Sequence, residues 1–470
     1  MNATDNDVPS STPFQVSGVV PSLAQVGDFG PPRTEIGVGA LMPWNGKLYV
    51  QNYNSHKARS GSGVSLRRIS ADMSMEIVPE TLGVDGTYTN RYIHYPTGQL
   101  VIGPQVIDQH HVIRTVPELQ GHRLCGTTTH LTKPETHVYV LTMEGIVFEL
   151  DVTTLETQQL WDLNDELNTE GEWKVHYKDC YTGYGRLIVC SNEYGEAEWS
   201  GERSRGRLAE FDGEQWRILA RKPFTAIAGR GTFSGTIFAS GWDRASAILE
   251  VYTEADDSWT RYRLPKASHT FDHKWQTEWP RIREVEHERF LLDHHGMYYE
   301  LSPWAYGNRI WGVRPISTHL WVLGDFCSWR GMLVLGADNA SPSTGHNVLT
   351  AEPQSGLWFG KTDDLWSFGK PSGWGGPWWE DAVKANEPSD PYLMTGFDGK
   401  VLHLQNHGDN EVSVSIDVDI RGDGTFGTHI VVDVAPGELQ SYVFPSGFSA
   451  HWLRLVSDRT SVLTAQLFYT

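Results

Sequence analysis

Short apolar or alternating runs, each bounded by Gly, Asp, Asn or Pro, dominate the chain, and long helical periodicity is nearly absent. Alternation with a period of two, with turn residues between the runs, is typical of β-strands. The clearest runs are GKLYVQNY (46–53), GQLVIGP (98–104), THVYVLTMEGIVFELDV (136–152), GRLIVCSN (185–192) and RFLLDHHGMYYELS (289–302). The pattern predicts an all-β protein.

The runs begin about every 40–50 residues, which is near the size of a four-stranded propeller blade. Residues 136–163 give the clearest blade, with three strands linked by tight turns. A β-sandwich would give similar strands. However, the regular spacing of the runs, with Gly and aromatic residues between them, favours blades repeated around a central axis, an arrangement that protects the sheet edges. We therefore predict a seven-bladed β-propeller over residues 41–385, preceded by an N-terminal extension and closing strand over residues 1–40.

The last part of the chain has a different pattern. Residues 369–390 are rich in Gly, Pro and Trp, which predicts a loop that closes the repeat region. Runs such as VSVSIDVDI and HWLRLVS then alternate cleanly up to Thr470. They predict a small C-terminal antiparallel β-sandwich-like region over residues 386–470, which supports the propeller.

The net charge of −20 argues against a nucleic-acid or anionic-membrane partner, because no continuous basic stripe is present. A few convergent arginines can still make a cleft locally positive. The four cysteines are far apart and form no C-x-x-C, which predicts free, buried thiols. The sequence contains no run of about 18 apolar residues, so we predict no membrane span. The first residues lack the regions of a signal peptide, so both a cytoplasmic protein and a secreted one with its leader removed stay open.

Histidines are the first candidates for chemistry. His110, His111, His122 and His130 lie within residues 105–130. No helical i, i+4 pair occurs among them, so we predict no metal site. Proton transfer suits them better, because histidine titrates near neutrality; the alternative is ordinary loop and strand histidines. His56, in the loop-like QNYNSHKARSGSG beside Asn54, is a further candidate, although a loop histidine is often only solvated.

Tyrosine and arginine side chains form the second group. Tyr181 or Tyr184 could act as a general acid, and Arg205 or Arg207 could hold a carboxylate through the bidentate guanidinium fork. Alternatively, Arg207 only braces a neighbouring blade. In GWDRASAI, Asp243 and Arg244 are expected to form a structural pair.

The stretch HTFDHKWQTEWPRIR (269–283) concentrates aromatic and titratable side chains. Trp275 and Trp279 are either sugar-stacking platforms or blade-core rings, and we expect His273, Trp275 or Arg281 to reach a polar axial cavity. Motifs for two-carboxylate glycoside hydrolysis, Ser-His-Asp catalysis and phosphate binding are missing from the sequence.

The run from GWDRASAI to RPISTHL, together with KTDDLWSFGKPSGWGGPWWED and FSAHWLRL, carries a resemblance. It resembles the seven-bladed-propeller α-L-rhamnosidases that release rhamnose from rhamnosyl-α-1,4-glucuronic acid ends of arabinogalactan proteins such as gum arabic. That family is similar in turn to propeller lyases, including ulvan lyases. The likeness extends from about Asn45 to Thr470. It implies an acidic glycan as partner, no required cofactor, and a structural calcium ion as an option.

Two active-site arrangements follow from the resemblance. The hydrolases use one essential histidine on the posterior face, whose counterpart is His56. The lyases use the anterior face, where the counterparts are His122, His130, Tyr181 and Arg207; there the arginine neutralises the uronate carboxylate and stabilises the developing enolate. Gln105 stands where lyase-like relatives have a histidine, and it cannot shuttle a proton.

We therefore predict hydrolysis of terminal L-rhamnose-α-1,4-D-glucuronic acid linkages, with His56 as the essential residue. The first alternative is β-elimination at the same linkage through the anterior set, and the second is a non-catalytic propeller that binds acidic glycans. The predicted substrate-binding residues are Asn54, Gln105, Arg207, Arg244, His273, Trp275 and Arg281.

Overall fold

The structure is a computed structural model that describes residues 19–25, 36–54, 66–81, 90–167, 174–194, 205–230, 236–268, 280–302, 312–321, 323–339 and 354–470. Within these residues almost every element is a β-strand. One short α-helix is present (Leu163–Glu166), and the 3₁₀ turns are Pro79–Thr81, Pro117–Leu119, Glu254–Asp256 and Thr362–Ser367.

Successive strands form four-stranded antiparallel sheets. The first strand, β1 (Val19–Gln25), joins sheet 7 below. Sheet 1 contains β2 (Ile36–Trp44), β3 (Lys47–Asn54), β4 (Arg67–Ile69) and β5 (Met75–Ile77). Sheet 2 contains β6 (Arg91–His94), β7 (Gln99–Ile102), β8 (Gln105–Ile107) and β9 (Ile113–Thr115). Sheet 3 contains β10 (Leu124–Thr129), β11 (His137–Thr142), β12 (Ile146–Asp151) and β13 (Thr157–Asp162).

The next four sheets continue the same order. Sheet 4 contains β14 (Lys174–Gly183), β15 (Arg186–Tyr194), β16 (Arg205–Phe211) and β17 (Trp216–Ala220). Sheet 5 contains β18 (Phe224–Gly229), β19 (Thr236–Trp242), β20 (Ala247–Thr253) and β21 (Ser258–Leu264). Sheet 6 contains β22 (Arg281–Glu286), β23 (Arg289–His294), β24 (Met297–Leu301) and β25 (Val313–Thr318). Sheet 7 contains β26 (Leu323–Trp329), β27 (Met332–Asn339), β28 (Gln354–Gly360) and β1.

Four-stranded antiparallel meanders of this kind are the blades of β-propellers, so the predicted all-β propeller class is confirmed, and sheets 1 to 7 are consistent with seven blades. Tight turns explain why the hairpins form. Asn45–Gly46 connects β2 to β3 and Tyr184–Gly185 connects β14 to β15, with positive φ at both residues of each turn. Such two-residue turns match the twist of paired strands, and glycine adopts the second position without strain.

The chain divides into two compact units, residues 1–160 with 321–364 and residues 161–320 with 365–470. In the first unit, apolar side chains of facing sheets form separate layers, such as that of Tyr49, Leu100 and Ile107. In the second unit a large cluster includes Phe290, Trp452 and Tyr469. Each unit therefore has its own hydrophobic core.

Aspartates link neighbouring sheets within each unit. A register shift in the first hairpin of sheets 4 and 7 places Asp179 and Asp325 next to the bulge. Asp325 Oδ2 accepts a hydrogen bond from the backbone N–H of Leu41 in sheet 1 (2.8 Å), and Asp179 Oδ2 accepts one from Ile227 in sheet 5 (3.0 Å). Arg91 Nε also contacts Asp325 (2.5 Å).

The C-terminal residues form further strands, which are β29 (Gly373–Val383), β30 (Tyr392–Leu393), β31 (Lys400–Asn406), β32 (Val412–Asp419), β33 (Gly427–Val434), β34 (Leu439–Val443), β35 (Trp452–Ser457) and β36 (Ser461–Tyr469). One sheet has the order β29-β36-β31-β34, and β30-β35-β32-β33 continues sheet 5. The prediction of a loop over residues 369–390 was wrong, because β29 lies within it. Register shifts between Gly375, Trp378 and Asp381 let this Gly- and Trp-rich segment pair as a strand.

Candidate functional site

In each of sheets 1 to 7 the strands begin and end at two opposite ends of the sheet. We call the end at which the first and third strands begin, and the second and fourth strands finish, the start edge. The opposite end is the far edge; neither term refers to the outer strands. Position along a strand therefore assigns each predicted site residue to an edge of its own sheet.

Three predicted site residues, His56, His273 and Trp275, lie outside the described residues. Asn54 is the last residue of β3, at the start edge of sheet 1, and its side chain is not described.

In the first unit, Gln105 and His122 lie at start edges, whereas His130 lies at the far edge of sheet 3. The six residues of β10 separate the two histidines. At about 3.3 Å per residue the strand alone is about 20 Å long. His122 and His130 therefore lie at opposite ends of sheet 3 and do not act together on one substrate atom.

His130 is held as a structural residue. Its Nδ1 accepts the backbone N–H groups of Thr132 and Lys133 (both 3.1 Å), and its Nε2 lies 2.8 Å from Glu149 Oε2. Since Nδ1 is an acceptor, Nε2 carries the proton and donates to Glu149. Burial lowers the pKa of His130, although Glu149 opposes this. The ring stabilises the turn that follows β10, and its two nitrogens are already used.

The two start-edge residues of this unit differ in character. The ring of His122 packs edge-on against Phe148, with ring centroids 5.2 Å apart. Gln105 is fully buried, and neither atom of its side-chain amide has a hydrogen-bond partner among the residues that the structure describes. A buried amide without a partner is costly, which keeps Gln105 among the candidate ligand-binding residues.

In sheet 4, Arg207 faces a protein carboxylate. Tyr177, Ser191 and Arg207 form one row across β14, β15 and β16, and Arg207 Nε lies 3.4 Å from Glu193 Oε1. All these side chains are buried. Burial raises the pKa of Tyr177 far above its ordinary range, although the Arg207 guanidinium opposes the shift. The row lies at the start edge.

Tyr181 lies four residues further along β14, toward the far edge of sheet 4. Its ring packs with a hydrophobic cluster that includes Ile188 and Ile237. The structure therefore does not bring Tyr181 and Arg207 together.

In sheet 5, the expected pairing of Asp243 with Arg244 was wrong. Asp243 Oδ1 instead accepts a hydrogen bond from Arg263 Nη1 (3.0 Å), and Asp243 Oδ2 lies 3.2 Å from Lys222 Nζ. Burial opposes ionisation of Asp243, but the charges of Arg263 and Lys222 hold its pKa well below the usual range. Arg244 points elsewhere and stacks over the ring of Trp379, 4.6 Å from its centroid.

In sheet 6, one row across all four strands consists of Arg281, Asp293, Tyr298 and Ser317. His319 completes it, with Nε2 at 2.9 Å from Asp293 Oδ1 and its ring stacked on Tyr298 at 4.1 Å. Burial raises the pKa of Asp293. Sequence reasoning missed Asp293, Tyr298 and His319; the only available signal was the polar DHH at the end of a strand.

Charge is distributed unequally between the two edges of the second unit. Within sheets 4 to 6, the cations at the start edges are Arg205, Arg207, Arg221, Lys222, Arg244, Arg263, Lys266 and Arg281, with the carboxylates Glu193, Asp243 and Asp293. Further carboxylates of the second unit lie on the same side: Asp390 pairs with Arg263, Asp381 interacts electrostatically with Arg263 and Lys222, and Asp162, Asp165 and Glu166 lie where the last strand of sheet 3 ends. At the far edges the carboxylates are Asp212, Glu214, Glu254, Asp256, Asp257, Glu286, Glu288 and Glu300, with the cations Arg186, Arg217, Arg230, Arg289 and Arg314. The start edges are therefore less acidic than the far edges, where carboxylates outnumber cations.

A cleft of about 720 Å³ opens at the far edge of sheet 6. Its described lining includes Glu286, Glu288, Glu300, Arg289, Arg314 and His451. It is a site of mixed charge and contains none of the residues predicted from the sequence.

Other predictions concern cysteines, metals and membranes. Cys125, Cys180, Cys190 and Cys327 form no disulfide bond and are buried, as predicted. No group of three or more His, Cys, Asp or Glu side chains placed to hold a metal ion occurs in the described ranges. The helices seen there are also too short or too polar to cross a membrane.

Comparison with known proteins finds distant structural similarity and no family. No family model matches the chain, and no curated protein matches it. Among solved structures, it is similar to U3-55K (10% identity, 73% of this chain and 100% of that chain, TM-score 0.40). It is also similar to the Pan2 WD40 domain of Neurospora crassa (11%, 73% and 98%, 0.40) and to a Trypanosoma rangeli sialidase in complex with a difluorinated ligand (8%, 97% and 95%, 0.38). At these identities and TM-scores the similarities assign no activity to this protein.

Proposed function

We propose that this β-propeller is a carbohydrate-active enzyme that binds an acidic glycan at the start edges of the second unit and hydrolyses terminal L-rhamnose-α-1,4-D-glucuronic acid linkages. The observation that carries the binding part is Arg244, an exposed guanidinium at the start edge of sheet 5 with no described carboxylate within ion-pair distance. A cationic group placed in this way attracts an anionic ligand even when the net charge of the protein is negative. A uronate is such a ligand.

The linkage and the reaction rest on the motifs that resemble the propeller rhamnosidases. In that proposal His56 is the essential residue. The separation of Tyr181 from Arg207 disfavours elimination through that anterior set, because the acid and the arginine that neutralises the carboxylate must both reach one uronate residue.

The test is incubation of the protein with gum arabic while free rhamnose and ultraviolet absorbance are both followed. Hydrolysis releases rhamnose without an unsaturated uronate, whereas elimination produces a 4,5-unsaturated uronate that absorbs in the ultraviolet. We expect rhamnose release alone, and we expect it to be lost in His56→Ala but retained in His287→Ala, whose side chain is 81% exposed at a far edge.

Absorbance that rises with cleavage would show a lyase. Saturable binding of gum arabic without any product would show a binding protein. Full activity of His56→Ala would exclude its assigned role.

A further inference from the structure

Arg244 presents a fixed cationic fork at the start edge of sheet 5. The turn that carries it is held by Asp243, whose Oδ1 accepts the backbone N–H groups of Ala245 (3.0 Å) and Ser246 (3.1 Å). The guanidinium lies over the ring of Trp379, with Cζ 4.6 Å from the ring centroid. Stacking holds the plane of the guanidinium and leaves its edge N–H donors directed away from the ring.

The donors of Arg244 are available. The residue is exposed, and among the residues that the structure describes no carboxylate lies within ion-pair distance of it. Its neighbour Asp243 does not compete for it, because that carboxylate is buried and already paired with Arg263 and Lys222. Arg207, by contrast, already faces Glu193.

Arg314 offers a natural comparison within the same unit. It is also exposed and stacks on a tryptophan, with Cζ 5.0 Å from the ring centroid of Trp366, and no described carboxylate pairs with it. However, Arg314 lines the far-edge cleft with Glu286, Glu288 and Glu300. Those carboxylates repel an anion, whereas the carboxylate next to Arg244 in sequence, Asp243, is ion-paired with Arg263 and Lys222.

We infer that Arg244, positioned by Trp379, is the residue that recognises the carboxylate of the bound uronate. This inference rests on the proposed function, and it names the group that makes the binding specific for an acidic sugar. A carboxylate accepts two parallel N–H donors from the guanidinium edge, a geometry that a lysine does not provide. Trp379 acts as a positioning residue, since it contacts the arginine.

The experiment measures binding of methyl β-D-glucuronide and of its neutral counterpart methyl β-D-glucoside by titration with NMR detection. Neither probe contains the rhamnosyl linkage, so the measurement does not depend on cleavage. We expect the wild type to prefer the glucuronide and Arg244→Ala to bind it about tenfold more weakly, with glucoside binding unchanged. Arg244→Lys should restore only part of the preference, and Arg314→Ala should bind as the wild type does.

Three results would overturn the inference. They are unchanged glucuronide binding in Arg244→Ala, equal losses in Arg244→Ala and Arg314→Ala, and a wild type that does not distinguish the two probes. Failure of the proposed function gives a different result from failure of this inference, because the wild type would then release no rhamnose from gum arabic whatever the outcome of the titration.

Trp379→Leu should weaken glucuronide binding without abolishing it. Glucuronide binding as strong as that of the wild type would show that Trp379 does not position Arg244.

Discussion

His294 should make the stability of the fold strongly dependent on pH. The imidazole is fully buried at the end of β23. Its Nε2 donates to the carbonyl oxygen of Gly241 (2.7 Å), so in the neutral ring Nδ1 is the acceptor, and it lies 2.6 Å from Nδ1 of His295. Protonation of His294 would therefore remove a buried hydrogen bond and place a charge close to Lys266.

The magnitude follows from the pKa of His294, which burial lowers from 6.5 to about 3. A group whose folded pKa is depressed in this way stays neutral in the native state while the unfolded chain takes up the proton below about pH 6.5. Stability is therefore lost as the pH falls from about 6.5 toward about 3. Between pH 7 and pH 5 the loss from this residue is about 2 kcal/mol, at about 1.36 kcal/mol per pH unit.

The assay is urea unfolding at pH 7 and pH 5, followed by tryptophan fluorescence. His294→Asn, which keeps an N–H donor for Gly241, should lose about 2 kcal/mol less than the wild type over this interval. His287→Asn, at an exposed position, should lose as much as the wild type. Equal pH dependence in wild type and His294→Asn would refute the reasoning, as would a His294 ring that titrates near pH 6 in NMR spectra of the folded protein.

Two further predictions concern buried polar contacts. Asp325→Asn should lower the free energy of unfolding by about 3–5 kcal/mol, because it leaves the largely buried Arg91 without its anion. Glu387→Gln, which breaks an exposed ion pair, should change the free energy of unfolding by less than about 0.5 kcal/mol. Equal effects in denaturant titrations would contradict the role of the aspartate link. His130→Ala should cost about 1–3 kcal/mol through the lost turn contacts, yet release as much rhamnose per folded molecule as the wild type. Activity that disappears in well-folded His130→Ala would show that the residue is catalytic.

The strands could be predicted from the sequence because alternation and turn residues report on local structure. The run GKLYVQNY corresponds to β3, and THVYVLTMEGIVFELDV corresponds to the hairpin of β11 and β12. β29 was missed because its Gly and Trp residues resemble a loop, and only the register shifts against β36 show how it pairs.

The candidate site was less predictable, since spacing along the chain does not tell which edge a side chain occupies. His122 and His130 are eight positions apart in sequence, yet a whole strand separates them. The row of Arg281, Asp293 and Tyr298 arises from strand register, which no local pattern contains.

The central claim is that an acidic glycan binds at the start edges of the second unit. Hydrogen–deuterium exchange with and without rhamnosyl-glucuronate oligosaccharides from gum arabic tests it most directly. We predict slower exchange at the start-edge segments 205–208, 241–246 and 281–283, and unchanged exchange at the far-edge segments 286–289 and 300–302. Protection confined to the far-edge segments, or none in either set, would contradict the account.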